Sequence, residues 1–216
     1  MLLVYVEGGN DEAFASRLLE GLGARCKHVE YDRVYHEVRW RMVSRRGSDC
    51  MIAEYAQRAS YKGLLTMLAR LAARYAVEKS REPLHILVLT DEDDAPRDAK
   101  LRALEEAARN TRIPGVSVEA VRYCGWCRGL RVERRSEAVL VAAVVECSLE
   151  CQAARHVLGA VWLEGCDRVR CREAIAGRGP ETFRALADAL LEGRGAGPGG
   201  TEWFTCMLRG LRAMLG

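Results

Sequence analysis

The sequence predicts an α/β fold, with a mainly parallel central sheet and helices on both faces, followed by a helical C-terminal extension. Three observations carry that expectation. Short apolar runs alternate with helically spaced segments through the first 150 or so of the 216 residues, the order of a doubly wound sheet. The run Leu84 to Thr90 (LHILVLT) is apolar on both faces, as a central parallel strand must be. The chain also opens as strand, glycine turn and helix, the first half of a βαβ unit.

Taken in order, Leu2 to Val6 reads as a buried strand that ends at Glu7-Gly8-Gly9. Asn10 or Asp11 caps a helix that places Phe14, Leu18, Leu19 and Leu22 on one face, and Gly21 and Gly23 end it. Residues 26 to 50 carry scattered valines and no clear period. A second helix is expected over about Met51 to Glu78, with Leu64, Leu65, Leu68, Leu71, Ala72 and Tyr75 on its apolar face and Gly63 bending or dividing it. Pro83 stops it. The LHILVLT strand follows and runs into Asp91-Glu92-Asp93-Asp94, and Pro96 starts the next helix, which reaches Arg109 or Asn110. Val116 to Val121 and Val139 to Val145 read as further strands, and Ser148 to about Leu158 as a helix. Gly193 to Gly200 reads as a flexible connection between two last helices. The expected organisation is an α/β domain over residues 1–160 and a helical extension over 161–216.

At 24.0 kDa, 49% hydrophobic and 29% charged, the chain has a globular composition that excludes a largely disordered protein. No apolar run is long enough to cross a bilayer, and Glu7 interrupts the first one before it could serve as a secretory signal. The expectation is a cytoplasmic protein with no membrane partner. Of the 33 basic residues only Lys27, Lys62, Lys79 and Lys100 are lysine. A GC-rich coding sequence explains that bias, and so does repeated phosphate contact through the planar guanidinium fork. The arginine content and the scarcity of Asn and Gln also fit a thermophile.

The chemistry in the sequence lies in its acids. Two expected strands end in carboxylates, Glu7 on the first and Asp91 to Asp94 on the LHILVLT strand, at the edge where open α/β sheets bind ligands. Asp91 and Asp93 are two apart, so an extended backbone points both to one side. Gathered carboxylates repel one another unless a hard cation neutralises them, and Mg²⁺ takes one or two carboxylates together with water and substrate phosphate. Asp91 and Asp93 would then hold Mg²⁺ (or Mn²⁺), and Glu7 would hold a second ion or exchange a proton. The competing reading is that these acids cap the helices that follow them, as Asp94 before Pro96 does.

The segment Val6-Glu7-Gly8-Gly9-Asn10-Asp11 resembles the glutamate motif of Toprim domains, a hydrophobic strand followed by Glu-Gly and then an Asp. Leu87-Val88-Leu89-Thr90-Asp91-Glu92-Asp93 resembles their Asp-x-Asp motif. Val139 to Val145, followed by Glu146 and Leu149-Glu150, is similar to the small stand-alone Toprim-like proteins related to the overcoming-lysogenisation-defect nucleases. The resemblance covers about residues 1–150 and implies Mg²⁺-dependent chemistry on nucleic-acid phosphodiesters, most simply as a small nuclease. It implies Glu7 as general acid/base or metal ligand and Asp91 and Asp93 as Mg²⁺ ligands. Asp11, Asp94, Glu146 and Glu150 fall where ligands of a second metal would come. The last 60 or so residues match no Toprim motif.

Two arginine-rich stretches interleaved with tryptophan suit a DNA or RNA backbone and its bases. Arg39, Trp40, Arg41, Arg45 and Arg46 lie in the first, and Arg128 and Arg131, beside Trp126, in the second. A solvated arginine face around a buried Trp explains both equally. The nine cysteines, with a CxxC at Cys124 to Cys127 and a further pair at Cys147 and Cys151, allow structural disulfides, free buried thiols, a redox pair or a zinc site. Zinc is disfavoured, because Cys147 and Cys151 fall i and i+4 near a helix, a poor knuckle spacing. His85 belongs to a core strand, and no serine-hydrolase, dinucleotide or P-loop motif is present. Two functional classes remain, a metal-dependent nuclease and a non-catalytic nucleic-acid- or protein-binding module on the same fold. Oligomeric state is open, a homodimer included.

Overall fold

The computed structural model describes residues 1–34, 36–38, 50–78, 80, 82–92, 95–111, 113–160, 166–194 and 201–215. Its centre is a seven-stranded sheet of β1 (Leu2–Val6), β2 (Cys26–His28), β3 (Cys50–Glu54), β4 (Leu84–Asp91), β5 (Ser117–Arg122), β6 (Cys127–Glu133) and β7 (Glu137–Val145). The spatial order is β2-β3-β1-β4-β7-β6-β5. β2, β3, β1, β4 and β7 run parallel, and β5 and β6 form an antiparallel edge from which a tight turn leads into β7. The described helices are α1 (Gly9–Gly21), α2 (Tyr61–Val77), α3 (Arg97–Asn110), α4 (Leu149–His156), α5 (Arg168–Ile175), α6 (Pro180–Leu191) and α7 (Glu202–Leu215).

The period-two alternation of strand side chains divides the core into two layers. Leu2, Val4, Val6, Leu87, Leu89, Val139 and Val141 face one side, where Phe14 and Leu18 of α1, Phe183 and Leu186 of α6, and Trp203 and Met207 of α7 meet them. Leu3, Tyr5, Ile86, Val88, Leu140 and Ala142 face the other, against Leu64, Leu68 and Ala72 of α2 and Leu104 of α3. The C-terminal helices therefore share a core with the first strand of the chain. α1 and α6 approach closely at Gly21, where a Cβ would lie 2.5 Å from Leu191 Cδ1.

The fold class is the one the sequence predicts, with two local corrections. The stretch expected as one helix from Met51 to Glu78 is a strand (β3) and a shorter helix, with Ser60 capping α2 by accepting from the Gly63 amide. Met51, Ala53 and Glu54 are good helix formers, but pairing with both β1 and β2 decides their conformation. β6 occupies a stretch read only as a basic patch, its Leu130 and Val132 buried between exposed charges.

Eight of the nine cysteines form disulfides: Cys26–Cys50, Cys124–Cys206, Cys147–Cys166 and Cys151–Cys171. Cys127 is a buried free thiol. Cys147 and Cys151 thus join the α4 segment to the α5 segment and do not complete a ribbon with Cys124 and Cys127. No helix among the described residues is long and apolar enough to cross a membrane.

Candidate metal centre

The chain runs from β1 out to β3 and β2 on one side and back to β4 on the other. The crevice between the carboxyl ends of β1 and β4 is therefore the topological switch point, where α/β sheets bind ligands. Glu7 follows β1 directly and Asp91 ends β4, so parallel pairing of these two strands carries both acids to one edge. A pocket of about 220 Å³ opens there, lined by Glu7, Gly8, Gly9, Asn10, Asp11, Asp91, Glu150 and Arg172.

Glu7 is held from behind. Its Oε1 accepts from the Tyr55 hydroxyl at 3.0 Å, the Thr90 hydroxyl at 2.6 Å and the Asp91 amide at 3.3 Å. Lys100 stands 3.9 Å from the same oxygen and donates to Thr90 Oγ1 at 2.9 Å, with its side chain only 3% exposed. A buried ammonium, a hydroxyl and the carboxylate thus form one chain of contacts, and Oε2 takes none of these bonds. Charge-assisted bonds of this kind fix a carboxylate's orientation. The Tyr55 hydroxyl, buried beside the Glu7 charge, is held well above its ordinary pKa and stays a donor.

Asp11 lies one turn into α1, where Oδ2 accepts from the Gly8 amide at 3.1 Å. Burial first, and then the charges of Glu7 and Glu150, push its carboxyl up to about 7. Folding therefore favours protonated Asp11. That contribution is complete below the ordinary carboxylate range and is lost as pH rises through about 7. The Asp11→Asn variant, which keeps an acceptor for Gly8, is accordingly expected to be more stable than wild type at pH 8 without divalent cations. The gain is on the order of 2 kcal/mol and fades towards pH 5, a difference that thermal melts at the two pH values measure.

Asp91 is buried, 6% exposed, and its Oδ2 accepts from the Leu149 amide at 3.4 Å, at the N-terminus of α4. Ser148 caps that helix, and Glu150 in its first turn brings the fourth carboxylate to the pocket. Glu92 takes a structural part. It accepts from the Arg97 and Cys147 amides, and its carbonyl takes Arg168 Nη2 at 2.7 Å. Glu146 contributes its carbonyl to Gln152 and does not line the pocket. Asp93 and Asp94 lie outside the described residues, as do Arg39, Trp40, Arg41, Arg45 and Arg46.

The structure thus brings together Glu7, Asp11, Asp91 and Glu150 of the residues that the sequence singled out. It adds Tyr55, Thr90, Lys100 and Arg172, of which only Thr90, directly before Asp91, lies in a motif that the sequence singled out. Arg128 pairs with Glu105 at 2.7 Å, and Arg131 with Glu137 at 3.1 Å and Glu133 at 3.9 Å, so carboxylates already flank both guanidinium groups. Trp126 is buried beneath the Arg97 guanidinium, 4.3 Å from the ring centroid. An all-oxygen donor set, with one carboxyl driven towards protonation by burial and by the charges of neighbouring carboxylates, fits a hard divalent cation better than a soft one. Comparison with family models, with curated proteins and with solved structures finds no match to this chain.

Proposed function

We propose that this protein is a Mg²⁺-dependent enzyme of nucleic-acid phosphodiester chemistry, a small Toprim-like nuclease that acts in the cytoplasm on DNA or RNA. The observation that carries the reading is the convergence of Glu7, Asp11, Asp91 and Glu150 in one pocket at the switch point of the sheet. Mg²⁺ or Mn²⁺ held by Asp91 and its neighbours would polarise a phosphoryl oxygen and lower the pKa of water. Glu7, fixed through Oε1, offers its other oxygen to take a proton from the attacking water or to bind cation. Arg172 also lines the pocket, and its planar fork would suit a phosphate there. Disulfides in a cytoplasmic protein fit the thermophilic source that the composition suggests.

Calorimetric titration of Mg²⁺ and Mn²⁺ into wild type and into the Asp91→Asn, Asp93→Asn double variant tests the centre. Binding is expected in wild type and at least tenfold weaker in the variant. Mg²⁺ often binds weakly without its phosphate ligand, so the titration is repeated with an oligonucleotide present. Should neither ion bind even then, the catalytic reading fails, and the fold serves as a non-catalytic binding scaffold.

A further inference from the structure

The sulfur chemistry of the chain converges at a second place, on the same face of the sheet as α7. The Sγ atoms of Cys124, Cys127 and Cys206 lie within 4.8 Å of one another. They come from the turn before β6, the first residue of β6 and the first half of α7. Cys124 and Cys127 form a short knuckle, in which the Cys124 amide donates to the Cys127 carbonyl at 3.4 Å. The Trp126 amide donates to Cys124 Sγ at 3.4 Å. An N–H aimed at sulfur favours the thiolate over the thiol. One turn beyond Cys206, Arg209 Nη1 donates to the Tyr123 carbonyl at 3.4 Å, which sets a guanidinium beside the cluster. Both features suit a site that carries negative charge.

We propose that, when the Cys124–Cys206 disulfide is reduced, these three cysteines bind one Cu(I) ion. Three thiolates are a soft donor set, and no fourth Cys, His, Asp or Glu joins the cluster among the described residues. That composition suits Cu(I), which is content with three sulfurs, over Zn(II), whose structural sites take four ligands. The chemistry balances simply. A dithiol or phosphine reductant gives two electrons to the Cys124–Cys206 bond, and two protons complete the two thiols. The three thiols then give up their protons to solvent as three S–Cu bonds form. Oxidation of Cys124 and Cys206 removes two of the three ligands and releases the ion, so disulfide and metal exclude each other. Without a cation, burial keeps Cys127 a thiol, its pKa pushed up to about 12.

Cys127 takes part in no disulfide, which makes it the clean probe. Wild type, Cys127→Ala and Cys26→Ala are titrated with Cu(I) in a phosphine reductant, against a chromophoric Cu(I) chelator. Far-UV circular dichroism confirms that each is folded at the temperature used. Wild type and Cys26→Ala are expected to bind one tight Cu(I) that raises the melting temperature. In Cys127→Ala its affinity falls at least 100-fold and the rise disappears. Equal affinity and equal thermal shift in wild type and Cys127→Ala would overturn the proposal. So would loss in Cys26→Ala as large as in Cys127→Ala, since that marks scattered thiol binding. The acidic pocket plays no part in this outcome.

Discussion

Glu7→Gln is expected to lower Mg²⁺-dependent phosphodiester cleavage by about 10²–10⁴-fold, the range seen when a positioned proton-transfer group is lost. Gln keeps an oxygen to accept from Tyr55, Thr90 and the Asp91 amide, so the backbone around the pocket holds its place. What disappears is the negative charge 3.9 Å from the buried Lys100 ammonium, which keeps its bond to Thr90 Oγ1. Cleavage of end-labelled single- and double-stranded DNA and RNA by wild type and variant, with Mn²⁺ as well as Mg²⁺, measures the loss. Combining Glu7→Gln with Asp91→Asn should cost little more than the worse single change, because residues that act as a unit are not additive. Wild-type rates in Glu7→Gln would remove Glu7 from the chemistry.

Reduction is expected to be the largest single perturbation of stability. Three bridges span 24, 19 and 20 residues and the fourth spans 82. In the chain-entropy treatment, loops near 20 residues contribute about 3 kcal/mol each and the longest about 4.5 kcal/mol. A domain of this size loses about 2–4 °C of melting temperature per kcal/mol, so full reduction should lower it by more than 20 °C. Melting curves with and without a phosphine reductant test this. Thiol titration should find one reactive thiol in the unfolded, unreduced chain, that of Cys127, and nine after reduction. A melting temperature that does not respond would mean that the bridges do not form.

Most strands legible in the sequence are those whose burial is complete, and the exposed β5 is legible from its valines after the Pro114-Gly115 turn. β1, β4 and β7 are apolar on both faces, and helices cover both sides of them. β2 is three residues long, Cys-Lys-His, and carries no hydrophobic signal. β3 reads as helix because its composition is helical and its strand state comes only from neighbours distant in sequence. The candidate site divides in the same way. Glu7, Asp11, Asp91 and Glu150 each follow an apolar strand or open the next helix, so local pattern exposes them. Tyr55, Lys100 and Arg172 reach the site through packing of β3, α3 and α5, and nothing in their own surroundings marks them. The disulfide pairs were beyond reach for a similar reason. The pairing depends on how α5 and α7 return to the sheet, which spacing does not encode.

The position of β1 also bears on how the chain acquires its fold during synthesis. Leu2–Val6 is synthesised before both of its sheet neighbours, which end at Glu54 and Asp91, and before α7, whose Trp203 and Phe204 belong to the same core layer. The nascent chain therefore carries a wholly apolar ribbon that stays unpaired until β3 and β4 have emerged, and a core layer that stays incomplete until α7 follows. Pairings so remote in sequence form late, and exposed strand edges of this kind recruit one another between molecules. Heterologous production should then favour slow translation and plentiful holdase chaperones.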